Sequence, residues 1–191
     1  VQSGSRLGTA RRKALEIWQS EPLFLDTETT GLGPRDQVIE VAVIDHRGAV
    51  LLDQLVRPSI PIPAEAQRIH GIRDADVRAA PWWHDILPQV AQVVEGRAAV
   101  MYNAPFDLRM MEQSARLLGL RWRFPAAQVH CLMELVAEAF GRWDPAKGAF
   151  RYLSLEAARR RLGIAEPNAH RALQDALLTR QVLMRLAGIG A

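Results

Sequence analysis

Two carboxylates stand two residues apart in LFLDTETTG, where Leu23, Phe24 and Leu25 read as a buried strand and Asp26 and Glu28 follow. Side chains at i and i+2 of a strand share a face, so the two acids crowd one another. Like charges that close raise each other's pKa, and a hard divalent cation between them relieves the repulsion. The tripeptide by itself reads equally well as a pair of solvated acids at a strand end. In VMYNAPFDLRMM an apolar strand ends at Tyr102 and Asp107 falls in the first turn of the next helix. Capping and the helix dipole favour an acid there without any ligand. In NAHRALQDALLTRQVL, His170 begins a helix and Asp175 interrupts its apolar stretch. A carboxylate facing a core needs a partner, and no basic residue stands at the spacing to be one. Taken together, Asp26, Glu28, Asp107, His170 and Asp175 each adjoin apolar secondary structure and make a coherent set. Oxygen donors select Mg²⁺ or Mn²⁺ over zinc. A pair of such ions about 3.5 to 4 Å apart suits phosphate-ester hydrolysis, with a histidine to accept the proton of water.

Positioning such a set requires a scaffold, and the hydrophobic pattern supplies one. PLFLDTE, QVIEVAVIDHRG and AVLLDQLVRP are consecutive β-rich runs separated by Gly31, Gly33, Pro34 and Gly48, which predicts an antiparallel meander. After the Pro-rich loop RPSIPIP, Ile86, Val90, Val93 and Val94 recur at helical spacing up to Gly96. AAVMY then reads as a buried strand feeding a helix with Leu108, Met111, Ala115 and Leu118 on one face. A short strand near AQVHC, a helix around LMELVAEAF, a polar loop GRWDPAKGAF and helices from about Ser154 and His170 complete the chain. The class is α/β, a mixed sheet covered on both faces. Residues 1–9 are Gly/Ser-rich and read as a frayed start, followed by a short helix from Ala10 to Gln19 that opens a single domain over 10–191.

The 191 residues, 49% of them hydrophobic, are enough for one core without disulfides or a structural metal. With Cys131 as the one cysteine, neither a disulfide framework nor a cysteine zinc site can form within the chain, and a cytoplasmic location is expected. No apolar run approaches the roughly 18 residues of a membrane span. The net charge of +3 permits polyanion binding without demonstrating it. Arg121, Arg123, Arg142, Arg151, Arg159, Arg160, Arg161 and Arg171 read as a phosphate groove or, more commonly, as solvated helix faces. Trp82 and Trp83 offer stacking surfaces, although aromatics beside Ile86 more often anchor a helix, and at least one is expected in the core. Met110, Met111 and Cys131 read as packing.

DTETTG, IHGI, NAPFD and HRALQDA, in this order and spacing, resemble the motifs of the DEDDh 3′-to-5′ exonucleases. The resemblance spans about residues 22–187 and is greatest to the exonuclease domain of the epsilon proofreading subunit of bacterial DNA polymerase III. It implies a ribonuclease-H-like fold. It also implies two divalent cations held by Asp26, Glu28, Asp107 and Asp175, with His170 as general base. Arg171 stands where a sister subclass has Tyr, which favours the histidine subclass. EAQRIHGI resembles the family segment that contacts the terminal nucleotide, mapping that role to Glu65 and His70, with Thr27 and Thr29 near the terminal sugar and phosphate. Tyr102 departs from the pattern, standing where many relatives carry His. The function implied is 3′–5′ hydrolysis of single-stranded DNA to nucleoside 5′-monophosphates, in proofreading or repair. An RNA 3′ exonuclease and a non-catalytic nucleic-acid-binding module are the alternatives. The expected partners are single-stranded nucleic acid 3′ ends, DNA over RNA, with no membrane; a polymerase partner is compatible with the motifs but not indicated by them.

Overall fold

The computed structural model describes residues 2–165 and 169–190, with side chains from residue 6. Its sheet grows from the predicted meander. The strands β1 (Leu23–Thr29), β2 (Val38–Ile44) and β3 (Val50–Leu55) pair antiparallel in sequence. β4 (Ala98–Met101) then lies parallel to β1 and β5 (Gln128–Cys131) parallel to β4, giving the five-stranded order β3-β2-β1-β4-β5. β2 is buried along its whole length, whereas the edge strand β3 exposes Val50 and Leu51 and buries Leu52.

Side-chain alternation along β1 divides the core. Phe24 points to the face covered by α1 (Gln2–Gln19), α6 (Leu132–Phe140) and α8 (Ala172–Ala187), where it packs with Leu132, Val136, Val182 and Leu183. Leu23 and Leu25 point to the opposite face, toward α4 (Trp83–Val94) and α5 (Ala104–Leu117), among Trp83, Ile86, Val90, Met110 and Met111. Each fully buried side chain of this size contributes about 1.5–3 kcal/mol of transfer free energy, so both faces of the central strand are pinned. Trp83 is the core tryptophan, its indole N–H donating to the Met111 carbonyl at 3.1 Å. Cys131 is half-buried rather than fully packed, its thiol 3.6 Å from the Tyr102 carbonyl.

Three local expectations are corrected. The backbone is helical from Gln2 rather than frayed to residue 9, so α1 is longer than the expected 10–19; residue 1 lies outside the described residues. Ala10 and Ala14, small enough for close approach, bury this helix against the core. The segment after RPSIPIP forms α2 (Ala64–His70) and α3 (Asp74–Val77), because Ile62, Ala66, Ile72 and Val77 close a small core over Ile39. Gly71, at φ 75°, takes the left-handed conformation that ends α2. GRWDPAKGAF is a hairpin, β6 (Trp143–Asp144) against β7 (Ala149–Phe150), closed by the Trp143–Phe150 edge contact and an Asp144–Arg151 ion pair at 3.2 Å. Arg159 and Arg160 pair with Glu156, Arg161 lies over Phe140, and Arg171 pairs with Glu40. The remaining helix, α7 (Leu155–Arg161), starts where expected, with Ser154 accepting the Ala157 N–H at 3.2 Å. Among the described residues no helix is long and apolar enough to cross a membrane.

Candidate active site

β1 lies where the sheet changes from antiparallel to parallel pairing, and its two bonded pairs with β4 end at Phe24 and Val100. The carboxyl ends of both strands therefore border an open crevice, the usual ligand position in such sheets. Asp26 and Glu28 extend from that end on the Phe24 face, toward α8. A register shift between Glu28 and Thr29 bends the strand as it leaves the pairing. From α8, Asp175 in the first turn turns inward, 7% exposed. Asp26, Glu28 and Asp175 each offer an oxygen within 4.8 Å of the others. Asp107 arrives from α5 and is more than a helix cap. One of its oxygens accepts both the Thr27 backbone N–H at 3.1 Å and the Thr27 hydroxyl at 2.7 Å.

The electrostatics of this end are strained. Burial, then the charges of Asp107 and Glu28, push the Asp26 carboxyl well above the usual range. Burial and the neighbouring Asp175 push Glu28 up to about 8. Asp107 is raised by burial to about 7 in spite of its bonds from Thr27. Asp175 is raised by burial to about 6, opposed by His170 and by backbone hydrogen bonds from Ala169 and His170. Its Oδ1 is buried with no hydrogen-bond partner among the described residues. A close set of hard oxygen donors, mutually repelling and with one lone pair unclaimed, fits a divalent cation such as Mg²⁺ or Mn²⁺.

His170 lies exposed just ahead of α8, at φ 49°. A cavity of about 530 Å³ opens beside the acids, lined by Thr27, Glu28, Thr29, Glu65, His70 and the apolar Leu32, Ile69 and Phe106 among others. The four residues expected to contact a nucleotide thus surround one cavity. Thr27 has its hydroxyl committed to Asp107, and Thr29 donates to the Gly31 carbonyl at 2.8 Å. Glu65 is exposed on α2. His70 is buried, its Nδ1 accepting the Ile72 N–H at 3.0 Å, and that burial lowers its pKa. Tyr102 donates its hydroxyl to the Leu153 carbonyl at 2.8 Å.

Two residues escaped the sequence reading. Glu40, only 2% exposed, pairs across the sheet with Glu28 and binds Arg171. An acid inside the otherwise apolar VIEVAVI was the available signal, the same one that singled out Asp175. Asp36 shapes the cavity lip, accepting the Thr30 hydroxyl at 2.7 Å and the Gly33 N–H at 2.6 Å. A Cβ on Gly31 would lie 2.8 Å from the Asp36 carboxylate, so a side chain there would push Asp36 off these two bonds. No local pattern marked Asp36, because its partners are one threonine hydroxyl and one backbone N–H within an irregular turn.

Residues 23–183 match the family model described as Exonuclease. An uncharacterized exonuclease of Escherichia phage 186 is 38% identical over 187 residues, 96% of each chain. The DNA polymerase III subunit epsilon-like protein of Rhodobacter capsulatus is 34% identical over 173 residues, 86% of this chain but 23% of that protein. Among solved structures, exonuclease X in complex with 5′-overhanging duplex DNA aligns with a TM-score of 0.62 at 27% identity, covering 88% of this chain and 94% of that one. The nuclease domain of 3′hExo, a DEDDh family member bound to rAMP, shares the fold with a TM-score of 0.70 at 17% identity, over 90% and 93% of the two chains. The acid-rich end of β1, the His170–Asp175 segment and the match over most of the chain agree: the chain belongs to the exonuclease family, on a ribonuclease-H-like fold.

Proposed function

We propose that this chain removes nucleotides from the 3′ end of single-stranded DNA, releasing nucleoside 5′-monophosphates, in a proofreading or repair setting in the cytoplasm. The observation that carries the reading is the convergence of Asp26, Glu28 and Asp175 within 4.8 Å beside a cavity large enough for a nucleotide. Asp26, Glu28 and Asp175 would hold a divalent cation, with Asp107 completing a second such site, and the cations supply Lewis-acid stabilisation of the phosphate oxygens when bound. His170 accepts the proton of the attacking water, and its place at the exposed start of α8 lets that proton pass to solvent. Glu65 and His70 hold the terminal sugar from the α2 side, and the Thr27–Thr29 backbone borders it from β1. Leu32, Ile69 and Phe106 give the base an apolar wall. DNA is favoured over RNA because the Rhodobacter relative is named for DNA polymerase III and the exonuclease X structure is a complex with duplex DNA. A polymerase partner is no part of this proposal.

Time courses on end-labelled single-stranded DNA, duplex DNA and RNA, with and without Mg²⁺ or Mn²⁺, test it. The expected result is metal-dependent shortening from the 3′ end, strongest on single-stranded DNA and blocked by a 3′-phosphate but not a 5′-phosphate. Equal rates on circular and linear single strands overturn the exonuclease reading. Faster turnover of RNA moves the substrate to the RNA alternative, and binding without hydrolysis moves the chain to a non-catalytic module.

A further inference from the structure

The strand next to the acids carries a further carboxylate. Glu40 is a buried carboxylate outside the Asp26–Glu28–Asp175 cluster: its two oxygens are spent on the start of α8. Arg171 donates through Nε to both Glu40 oxygens at 3.1 Å and through Nη2 to Oε1, while the Ala172 backbone N–H donates to Oε2 at 2.9 Å. One side chain thus forms a forked ion pair and supplies an N-terminal acceptor to the helix that carries Asp175. The carboxylate also sits opposite Glu28 in the β1–β2 register, so its negative charge pushes the pKa of Glu28 and of Asp26 upward. An acid placed where it repels the acids beside it needs a compensating role.

That role concerns the residue between the two anchors. His170 has φ 49°, a left-handed conformation that is unfavourable for an L-residue with a Cβ and persists where the surroundings over-determine it. Ahead of it, the backbone at Ala169 and His170 is tied to Asp175. Behind it, Arg171 and Ala172 are tied to Glu40. We propose that Glu40 is a positioning residue, which clamps the Arg171–Ala172 segment and thereby fixes the strained His170 over the carboxylate cluster. The inference rests on the reading of His170 as proton acceptor. Glu40 touches no reacting atom in this scheme.

A double-mutant cycle tests the clamp: Glu40→Gln, His170→Ala and the pair, each assayed for kcat and KM on single-stranded DNA and for its Mn²⁺-induced rise in melting temperature. Displacing a catalytic group by about 1 Å costs on the order of 100-fold. Glu40→Gln should lower kcat roughly 10- to 100-fold with KM unchanged and a Mn²⁺-induced rise retained, and should have no further effect on kcat in the His170→Ala background. Wild-type kcat for Glu40→Gln beside an impaired His170→Ala overturns the clamp alone. An equal loss on both backgrounds overturns it too, since Glu40 would then act without His170. Full activity of His170→Ala overturns the base assignment and the clamp together. Should Glu40→Gln fail to fold, Arg171→Met removes the other half of the pair and carries the same expectations.

Discussion

A buried carboxylate oxygen without a hydrogen bond costs stability, and Asp175 keeps one. Asn at this position preserves the volume and one acceptor for the Ala169 and His170 amides while removing the charge. Asp175→Asn should therefore fold, melt in EDTA at or above the wild-type temperature, and lose both hydrolysis and most of the metal-induced rise. Nuclease assays and scanning fluorimetry in EDTA and in Mn²⁺ check this, and equal metal-induced rises in mutant and wild type would show that Asp175 is no ligand. Asp107 is the contrasting case. It receives two hydrogen bonds from Thr27 within the protein, so part of its stabilisation is independent of any ion.

Between elements, Tyr102 joins the end of β4 to the chain entering α7 through the Leu153 carbonyl. Tyr102→Phe leaves that carbonyl unpaired and should cost about 1 kcal/mol in a urea melt, with kcat unchanged. A large loss of kcat would place Tyr102 in the reaction instead. How the elements came to be readable differs from site to site. Asp26 and Glu28 announced themselves because strand alternation is local and a β-rich run preceded them. Asp107 and Asp175 were found by their place at helix starts beside apolar residues. The Glu40–Arg171 pair was beyond reach, since its partners are 131 residues apart and meet only through the β1–β2 register and the docking of α8. The hairpin at Trp143–Phe150 was hidden for another reason. Two-residue strands are too short to show a period, and an edge contact between two aromatic rings holds them. The helix α2 was masked by the prolines ahead of it, although proline at a helix entrance is well tolerated.

At the scale of the molecule, the acids make stability depend on pH and metal together. Without metal, Glu28, Asp107 and Asp175 have folded-state pKa values of about 8, 7 and 6, above the unfolded values near 4. The folded chain then binds the extra protons more tightly than the unfolded chain. Stability from these groups is present at acid pH and falls as pH rises from about 4 through about 8. The melting temperature in EDTA should decline from pH 5 to pH 8, while the gap between Mn²⁺ and EDTA widens over the same interval. A hundredfold excess of metal over Kd adds about 2.7 kcal/mol. A gap that stays constant with pH would show that these carboxylates do not bind the ion. A different consequence follows from the outer edge of the sheet. β3 pairs with β2 on one side, and no strand among the described residues pairs with the other; Trp82 bridges the chain only at Arg57, beyond the strand. Val50 and Leu51 are exposed there, and Asp53 is the single charge in VLLDQL. An open apolar edge invites edge-to-edge pairing between copies, which a charge on the strand discourages. Asp53→Val should raise concentration-dependent light scattering above the wild-type level while Asp53→Lys does not, making one edge-strand carboxylate the guard of the protein's solubility.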